Sequence, residues 1–273
     1  MKFLCRATDH ELSYRVLEAF AEGTPQADIG GVGCELWCWP DEEYGWEIPV
    51  YYGILRGCGE AIKEDMRQGR PFVYIDHGFF GDKDNVNLTG HYRIVVGGLH
   101  HKIPEWPKIE GMDWPGIIPP PARRPACAPI VLIPPSEHVA GFYGIDLPDW
   151  IRRFKAMFPK SVVSTKADGN LDSLLGECRG VLAHSSTAVI KALKTGLPAW
   201  CTAERAPIPN HGMYNPEDLL CWLAERQFTL GEIRDGRHLQ FLRREIEKFR
   251  AEGVRSPSVG GGTSHTENRP YPL

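Results

Sequence analysis

The segment Gly180-Val-Leu-Ala-His-Ser-Ser-Thr-Ala-Val-Ile-Lys-Ala-Leu-Lys-Thr-Gly-Leu-Pro-Ala-Trp200 constrains the fold more than any other stretch of the chain. Val181 to Ala183 is a short apolar run, His184-Ser185-Ser186-Thr187 is a polar turn, and Ala188, Val189, Ala192 and Leu193 recur at helical spacing. Gly196-Leu197-Pro198 stops the helix ahead of another apolar strand. Strand, helix and strand in that order form a parallel crossover, so the chain must build a sheet covered by helices. Ligands of such sheets gather at the carboxyl ends of strands, where the four polar residues fall. A helix that opens among them offers free N–H groups and a dipole suited to an anion such as phosphate, with hydroxyls as further donors. The competing reading makes Ser185 or Ser186 an N-cap and nothing more.

The same alternation extends in both directions. Residues 3–7 read as a strand, and 9–22 as an amphipathic helix with Leu12, Val16, Leu17 and Phe20 on one face. A Gly- and Trp-rich segment follows, then a strand over 48–55, a helix over 58–68 patterned by Ala61, Ile62, Asp65 and Met66, and a strand over 71–75. Between His101 and Pro129 seven prolines and two tryptophans displace any periodicity, which marks a crossing between two lobes. The alternation then restarts with strands over 129–133, 161–165 and 197–201 and helices over 149–157 and 171–178. Further helices are expected over 217–226 and 236–252, the latter with Leu239, Leu242, Ile246 and Phe249 on one face. The expected organisation is a first α/β lobe over 1–120, a second over 121–235, a C-terminal helix over 236–253, and a Gly/Ser/Pro-rich tail over 254–273 that reads as disordered.

At 273 residues and 42% hydrophobic content the chain can bury a substantial core. No run of eighteen apolar residues exists, and Met1-Lys-Phe-Leu-Cys-Arg leads into a charged segment rather than a signal-peptide core, so a cytoplasmic location is expected. The eight cysteines (Cys5, Cys34, Cys38, Cys58, Cys127, Cys178, Cys201, Cys221) are scattered without paired CxxC spacing, which favours reduced thiols over a disulfide framework or a zinc site. A net charge of −4 carries no global nucleic-acid footprint and leaves room for a local basic groove.

Three loops of the second lobe fall at strand ends on one sheet edge: Pro135-Ser136-Glu137-His138, Thr165-Lys166-Ala167-Asp168-Gly169 and His184-Ser185-Ser186-Thr187. Ser136 and the Ser-Ser-Thr run supply hydroxyls, Lys166 a cation, and the last loop a helix start, a set that suits a diphosphate. Taken singly, Lys166 reads as an exposed lysine and His138 as an ordinary loop residue. In the first lobe a strand ends in Asp76-His77-Gly78, which places a carboxylate and an imidazole where a general base could act. Asp9-His10, after the first strand, is the second candidate pair. The competing reading of Asp76-His77 is a turn that closes a buried strand through side-chain hydrogen bonds. Tyr92 and Arg93 are candidates for orienting a substrate, or structural members of an amphipathic strand. Asp82-Lys83-Asp84 has metal-motif spacing but sits beside Asn85 and Asn87 and reads as a solvated turn, so no metal ligands are assigned.

Residues 129–201, with Ile-Val-Leu-Ile-Pro-Pro-Ser, Val-Val-Ser-Thr-Lys and Val-Leu-Ala-His-Ser-Ser-Thr-Ala-Val-Ile-Lys-Ala-Leu-Lys-Thr-Gly-Leu-Pro, resemble the nucleotide-sugar-binding lobe of GT-B glycosyltransferases, closest to small phage-encoded and capsule-type transferases. Tyr74-Ile-Asp-His-Gly-Phe-Phe-Gly81 and His91-Tyr-Arg-Ile also resemble the phage proteins. The likeness spans about residues 70–201. It implies two Rossmann-like lobes with parallel sheets and a C-terminal helix, and a nucleotide-sugar donor, most simply a UDP-sugar, as co-substrate. It further implies donor phosphates at Ser185, Ser186 and Thr187 helped by Lys166, with Glu204 holding sugar or ribose hydroxyls in a loop facing the cleft; the competing reading of that loop is a Pro-rich surface loop with no ligand. The acceptor belongs to the first lobe, and no bound metal or other cofactor is required. The phage resemblance suggests hydroxymethylated pyrimidine in DNA as acceptor, in a host cytoplasm. Arg123, Arg124 and the basic residues Arg237, Arg243, Arg244, Lys248, Arg250 and Arg255 could track its phosphates; the competing reading is a solvated helix face. Capsule-type relatives carry a His-Pro pair after the strand that here ends in Thr165-Lys166, so no histidine role is transferred there. Polysaccharide transfer, a non-catalytic binding module and a sugar-nucleotide epimerase remain as alternatives.

Overall fold

A computed structural model describes residues 2–25, 27–31, 47–55, 57–79, 90–103, 124–203, 205–208 and 215–253. Strand β1 (Lys2–Ala7) buries Phe3 and Cys5 beneath helix α1 (Glu11–Gly23), whose Val16, Leu17, Ala19 and Phe20 form its inward stripe. Strand β2 (Ala27–Gly31), β3 (Glu47–Tyr52), helix α2 (Cys58–Arg67), β4 (Val73–His77) and β5 (His91–Val96) follow. The expected helix over 58–68 turns Cys58, Ile62 and Asp65 inward, while Ala61 and Met66 are exposed. Asp65 tolerates burial because the Tyr51 hydroxyl donates to its Oδ2 at 2.8 Å and Arg70 Nη2 meets its Oδ1 at 2.9 Å.

The first sheet has six strands in the order β10-β5-β4-β3-β1-β2. β1, β2, β3 and β4 run parallel, but β5 runs antiparallel to β4, and β10 (Gln227–Thr229) antiparallel to β5. The expectation of a purely parallel sheet therefore fails at this side. The connection between β4 and β5 is rich in Gly, Asp and Asn and carries no apolar helical stripe in its sequence, so nothing in it suits a covering crossover and the chain doubles back.

The second sheet is parallel throughout, in the order β7-β6-β8-β9, from β6 (Ile130–Ile133), β7 (Val162–Val163), β8 (Gly180–Ala183) and β9 (Ala199–Cys201). Its helices are α3 (Glu137–Tyr143), α4 (Leu147–Met157), α5 (Leu171–Glu177), α6 (Ala188–Lys194) and α7 (Pro216–Ala224). Ile130, Leu132, Leu182 and Trp200 pack with Trp150 and Phe154 of α4. The parallel strands of both sheets share one plan: the second lies outside the first, and the third and fourth lie on the other side. The order of connection thus reverses between β1 and β3 in one sheet and between β6 and β8 in the other.

The chain forms two compact units, Met1–Leu99 with the segment beginning at Arg226, and His100–Glu225. The expected boundary at 120/121 and the assignment of residues up to 235 to the second lobe differ from this division. The reason lies in packing: after β10, helix α8 (Leu230–Arg234) and helix α9 (Leu239–Gly253) place Leu230, Ile233, Phe241, Leu242 and Ile246 in one core with Phe3, Phe20, Val50 and Ile94. Arg234 pairs with Glu22, and the buried His238 bonds the Thr24 hydroxyl through Nε2 at 2.9 Å. The tail over 254–273, the Gly- and Trp-rich residues 32–46, Asp82-Lys83-Asp84, Arg123, Glu204 and Arg255 lie outside the described residues.

Candidate functional site

In the second unit four parallel strands bring their following loops to one edge. At the reversal, the loop after β6 ends in Ser136, whose Oγ caps α3 by accepting from Val139 N at 3.4 Å. The loop after β8 stands beside it, and His184 N donates across the reversal to Ile133 O at 3.3 Å. The His184 ring bonds the Ser185 hydroxyl through Nδ1 at 3.0 Å and meets the Tyr143 ring at 5.5 Å. Burial lowers His184 to about 4, so the ring is neutral at neutral pH, and Ser185 is buried with it. Ser186 Oγ accepts from Ala188 N at 3.2 Å.

Helix α6 is only seven residues long, and Thr187 at its N-cap makes no side-chain capping bond. A helix this short adds little dipole, which corrects the weight placed on it from sequence. What the turn offers an anion is a run of backbone donors: among the described residues nothing accepts from the N–H groups of Ser185, Ser186 and Thr187. After the outer strand β7, Lys166 is exposed on a 3-10 turn (Lys166–Asp168). Thr165 closes that turn, donating to Asp168 Oδ2 through N at 2.6 Å and through Oγ1 at 2.8 Å, which holds Asp168 below the usual carboxylate range. Among the described residues Lys166 has no ionic partner. After β9, Thr202 N donates to Ala183 O at 2.9 Å and Ala203 N to His184 O at 3.0 Å, folding that loop back toward the Ser-Ser-Thr turn.

In the first unit the carboxyl ends of β1, β3 and β4 share an edge with the start of β5. Asp9 is exposed there, and His10 stands at the N-cap of α1 with no side-chain capping bond. Thr8 Oγ1 accepts from His10 N at 3.4 Å. One strand beyond the reversal, Asp76 faces Arg93 in register. Arg93 Nη2 meets Asp76 Oδ2 at 2.7 Å, the Tyr74 hydroxyl donates to the same oxygen at 2.8 Å, and His77 N donates to Oδ1 at 2.8 Å. Both oxygens of Asp76 therefore carry hydrogen bonds from its own sheet.

Arg93 and Tyr92, read from sequence as substrate-orienting, are 5% and 0% exposed. They are internal supports, not contact surface, because the pairing of β4 with β5 turns Arg93 onto Asp76 and Tyr92 into the core. Burial pushes Tyr92 up to about 12, so its hydroxyl stays protonated. The imidazole of His77, by contrast, is exposed. It stacks on Tyr92 at 6.2 Å and 28°, and Tyr52 meets it edge-on at 6.2 Å and 82°. Tyr74 and Tyr52 were not singled out from sequence. The signal for Tyr74 was available, since residues two apart on a strand share a face.

No family model matches the chain, and no curated protein is significantly similar to it. Among the described residues no cluster of three or more His, Cys, Asp or Glu side chains is gathered to hold a metal ion. No helix among them is long and apolar enough to cross a membrane.

Proposed function

We propose that the chain is a nucleotide-sugar-dependent glycosyltransferase of the two-lobe GT-B type that transfers a sugar to a hydroxyl acceptor, with hydroxymethylated pyrimidine in DNA as the favoured acceptor. One observation carries the reading: Ser136 and the Ser185-Ser186-Thr187 turn follow adjacent strands on either side of the strand-order reversal of a parallel sheet, and that turn keeps three consecutive N–H groups without acceptors among the described residues. Such reversals are where open α/β sheets take up ligands, and clustered backbone donors suit a diphosphate. Lys166, one strand away, adds a positive charge.

In the proposed reaction the acceptor oxygen bonds to the anomeric carbon while that carbon's bond to the diphosphate oxygen breaks. The hydroxyl proton passes to an imidazole, and the departing nucleoside diphosphate keeps the electron pair. Of the candidate bases, His77 is the better placed, since Asp76 is committed to Arg93 and Tyr74; Asp9 and His10 stand on the same sheet edge. The leaving charge is met by backbone N–H groups, Lys166 and hydroxyls, which asks for no metal. The commitment of Asp76 also favours a second reading, a nucleotide-binding module of the same fold without transfer activity.

UDP- and GDP-sugars incubated with DNA containing hydroxymethyluracil or hydroxymethylcytosine, followed by nucleoside mass spectrometry, test the proposal. A hexose mass on the modified base is expected with one donor. Transfer only to polysaccharide acceptors would move the acceptor assignment, and nucleotide binding with no transfer to either would leave the binding module. Ser186→Ala and Lys166→Ala should each weaken nucleoside diphosphate binding by roughly ten-fold, the loss of a charge-assisted bond. Unchanged affinity in both variants removes the phosphate site.

A further inference from the structure

Each residue from the end of β4 into the following turn, Asp76 to Phe79, is held by its own partners. The Asp76 carboxylate is fixed by Arg93 and Tyr74. The His77 carbonyl accepts from Arg93 Nη1 at 2.6 Å, and Gly78 N donates to His91 O at 2.7 Å. Phe79 N donates to the side-chain oxygen Oε1 of Gln227 at 2.8 Å, and the Phe79 ring lies 5.8 Å from the Arg93 guanidinium. A Cβ at Gly78 would stand 2.7 Å from His91 O and 2.8 Å from Gln227 Oε1, so only glycine fits there. The imidazole of His77 is the exposed side chain that this frame presents.

Gln227 enters the frame from the far end of the chain. It lies on β10 opposite Arg93, is itself buried, and sits on backbone fixed by the bond from Ile94 N to Arg226 O at 3.2 Å. We propose that Gln227 is a positioning residue for His77: its side-chain oxygen anchors Phe79 N–H and so holds the turn that keeps the imidazole stacked on Tyr92. Removing that oxygen takes away the acceptor that Phe79 N–H meets at 2.8 Å and with it one of the bonds that fix the turn. The proposal rests on His77 as the proton-accepting group of the transfer reaction, yet its structural content is measurable without that reaction.

In the wild-type protein, hydrogen exchange followed by NMR should show the Phe79 amide strongly protected. Exchange at the rate of an open loop amide would overturn the proposal without any variant. Gln227→Leu, which keeps the bulk and loses the acceptor, should shift the His77 ring resonances and its titration midpoint and speed its acylation by diethyl pyrocarbonate several-fold. Gln227→Glu, which keeps an oxygen at the same reach beside Arg93, should restore the ring resonances and the acylation rate, while its added charge raises the titration midpoint on its own. His77 signals unchanged in Gln227→Leu, or unrescued in Gln227→Glu, would overturn it. If sugar transfer is measurable, Gln227→Leu should lower kcat more than it raises KM. Absence of transfer in the wild type refutes the functional reading alone, because the exchange and ring measurements need no substrate.

Discussion

Arg93 joins two faces of one problem, a buried cation and the half-buried carboxylate that faces it. Its side chain is 6% exposed and that of Asp76 26%, so the pair is sheltered from solvent on the cation's side. Taking away one member of such a pair strands the other, and Arg93→Met is expected to lower stability by about 3–5 kcal/mol in urea unfolding. Asp76→Asn keeps acceptor and shape and should cost less. A second residue-scale prediction concerns acid. Burial holds His238 at about 4, among the rings of Phe20 and Phe228, whereas an unfolded histidine titrates near 6.5. Between those values the unfolded chain binds the extra proton, so stability must fall as pH drops from about 6.5 toward about 4 and level off below, by up to ~3 kcal/mol from this one group. His238→Phe should flatten that limb in chemical denaturation at stepped pH. An unchanged slope would mean the ring is already protonated in the fold. His184 acts with the same sign in the other unit.

Elements show how far the amino-acid order could be read. α1, α2, α4, α5 and α9 were legible because each repeats apolar residues at helical spacing, and β6, β8 and β9 because they are apolar and flanked by Gly or Pro. β10 was not legible: Gln227-Phe228-Thr229 has no alternation to distinguish it from the end of the preceding helix, and only its partner β5 makes it a strand. The same limit hid the first-unit frame. Asp76-His77 could be found as a chemical pair at a strand end, but the partners of Asp76 come from a β5 pairing whose antiparallel sense no local pattern announces. In the second unit the sheet edge was legible from three polar loops, while the inward turn of Ser185 onto His184 was not. The return helices can be tested directly. Ile233 and Ile246 are fully buried in the first unit's core, so Ile233→Ala or Ile246→Ala should each cost about 2–5 kcal/mol, read as a lowered urea midpoint with unchanged slope. A loss below about 0.5 kcal/mol would mean that α8 and α9 are not part of that core.

At the scale of the whole molecule, two sheets with the same reversal carry differently furnished edges: hydroxyls, a lysine and N–H groups without acceptors among the described residues on one, aromatic rings, an imidazole and carboxylates on the other. A nucleoside diphosphate should therefore slow hydrogen exchange around residues 134–140 and 184–190 of the intact chain and leave the 76–79 turn unchanged. Protection at the turn instead would exchange the roles of the two edges. The return of residues 226–253 to the first unit has a further consequence for how the protein is made. During synthesis β5 leaves the ribosome long before its partner β10 exists, and the apolar patch destined for α8 and α9 stays open while the entire intervening unit is translated. That intervening unit can condense as soon as β9 and α7 emerge, but the earlier-made sheet must wait with an unpaired edge, the kind of surface that recruits chaperones or pairs with another nascent chain. The residues made first are thus expected to be the last to reach their final packing.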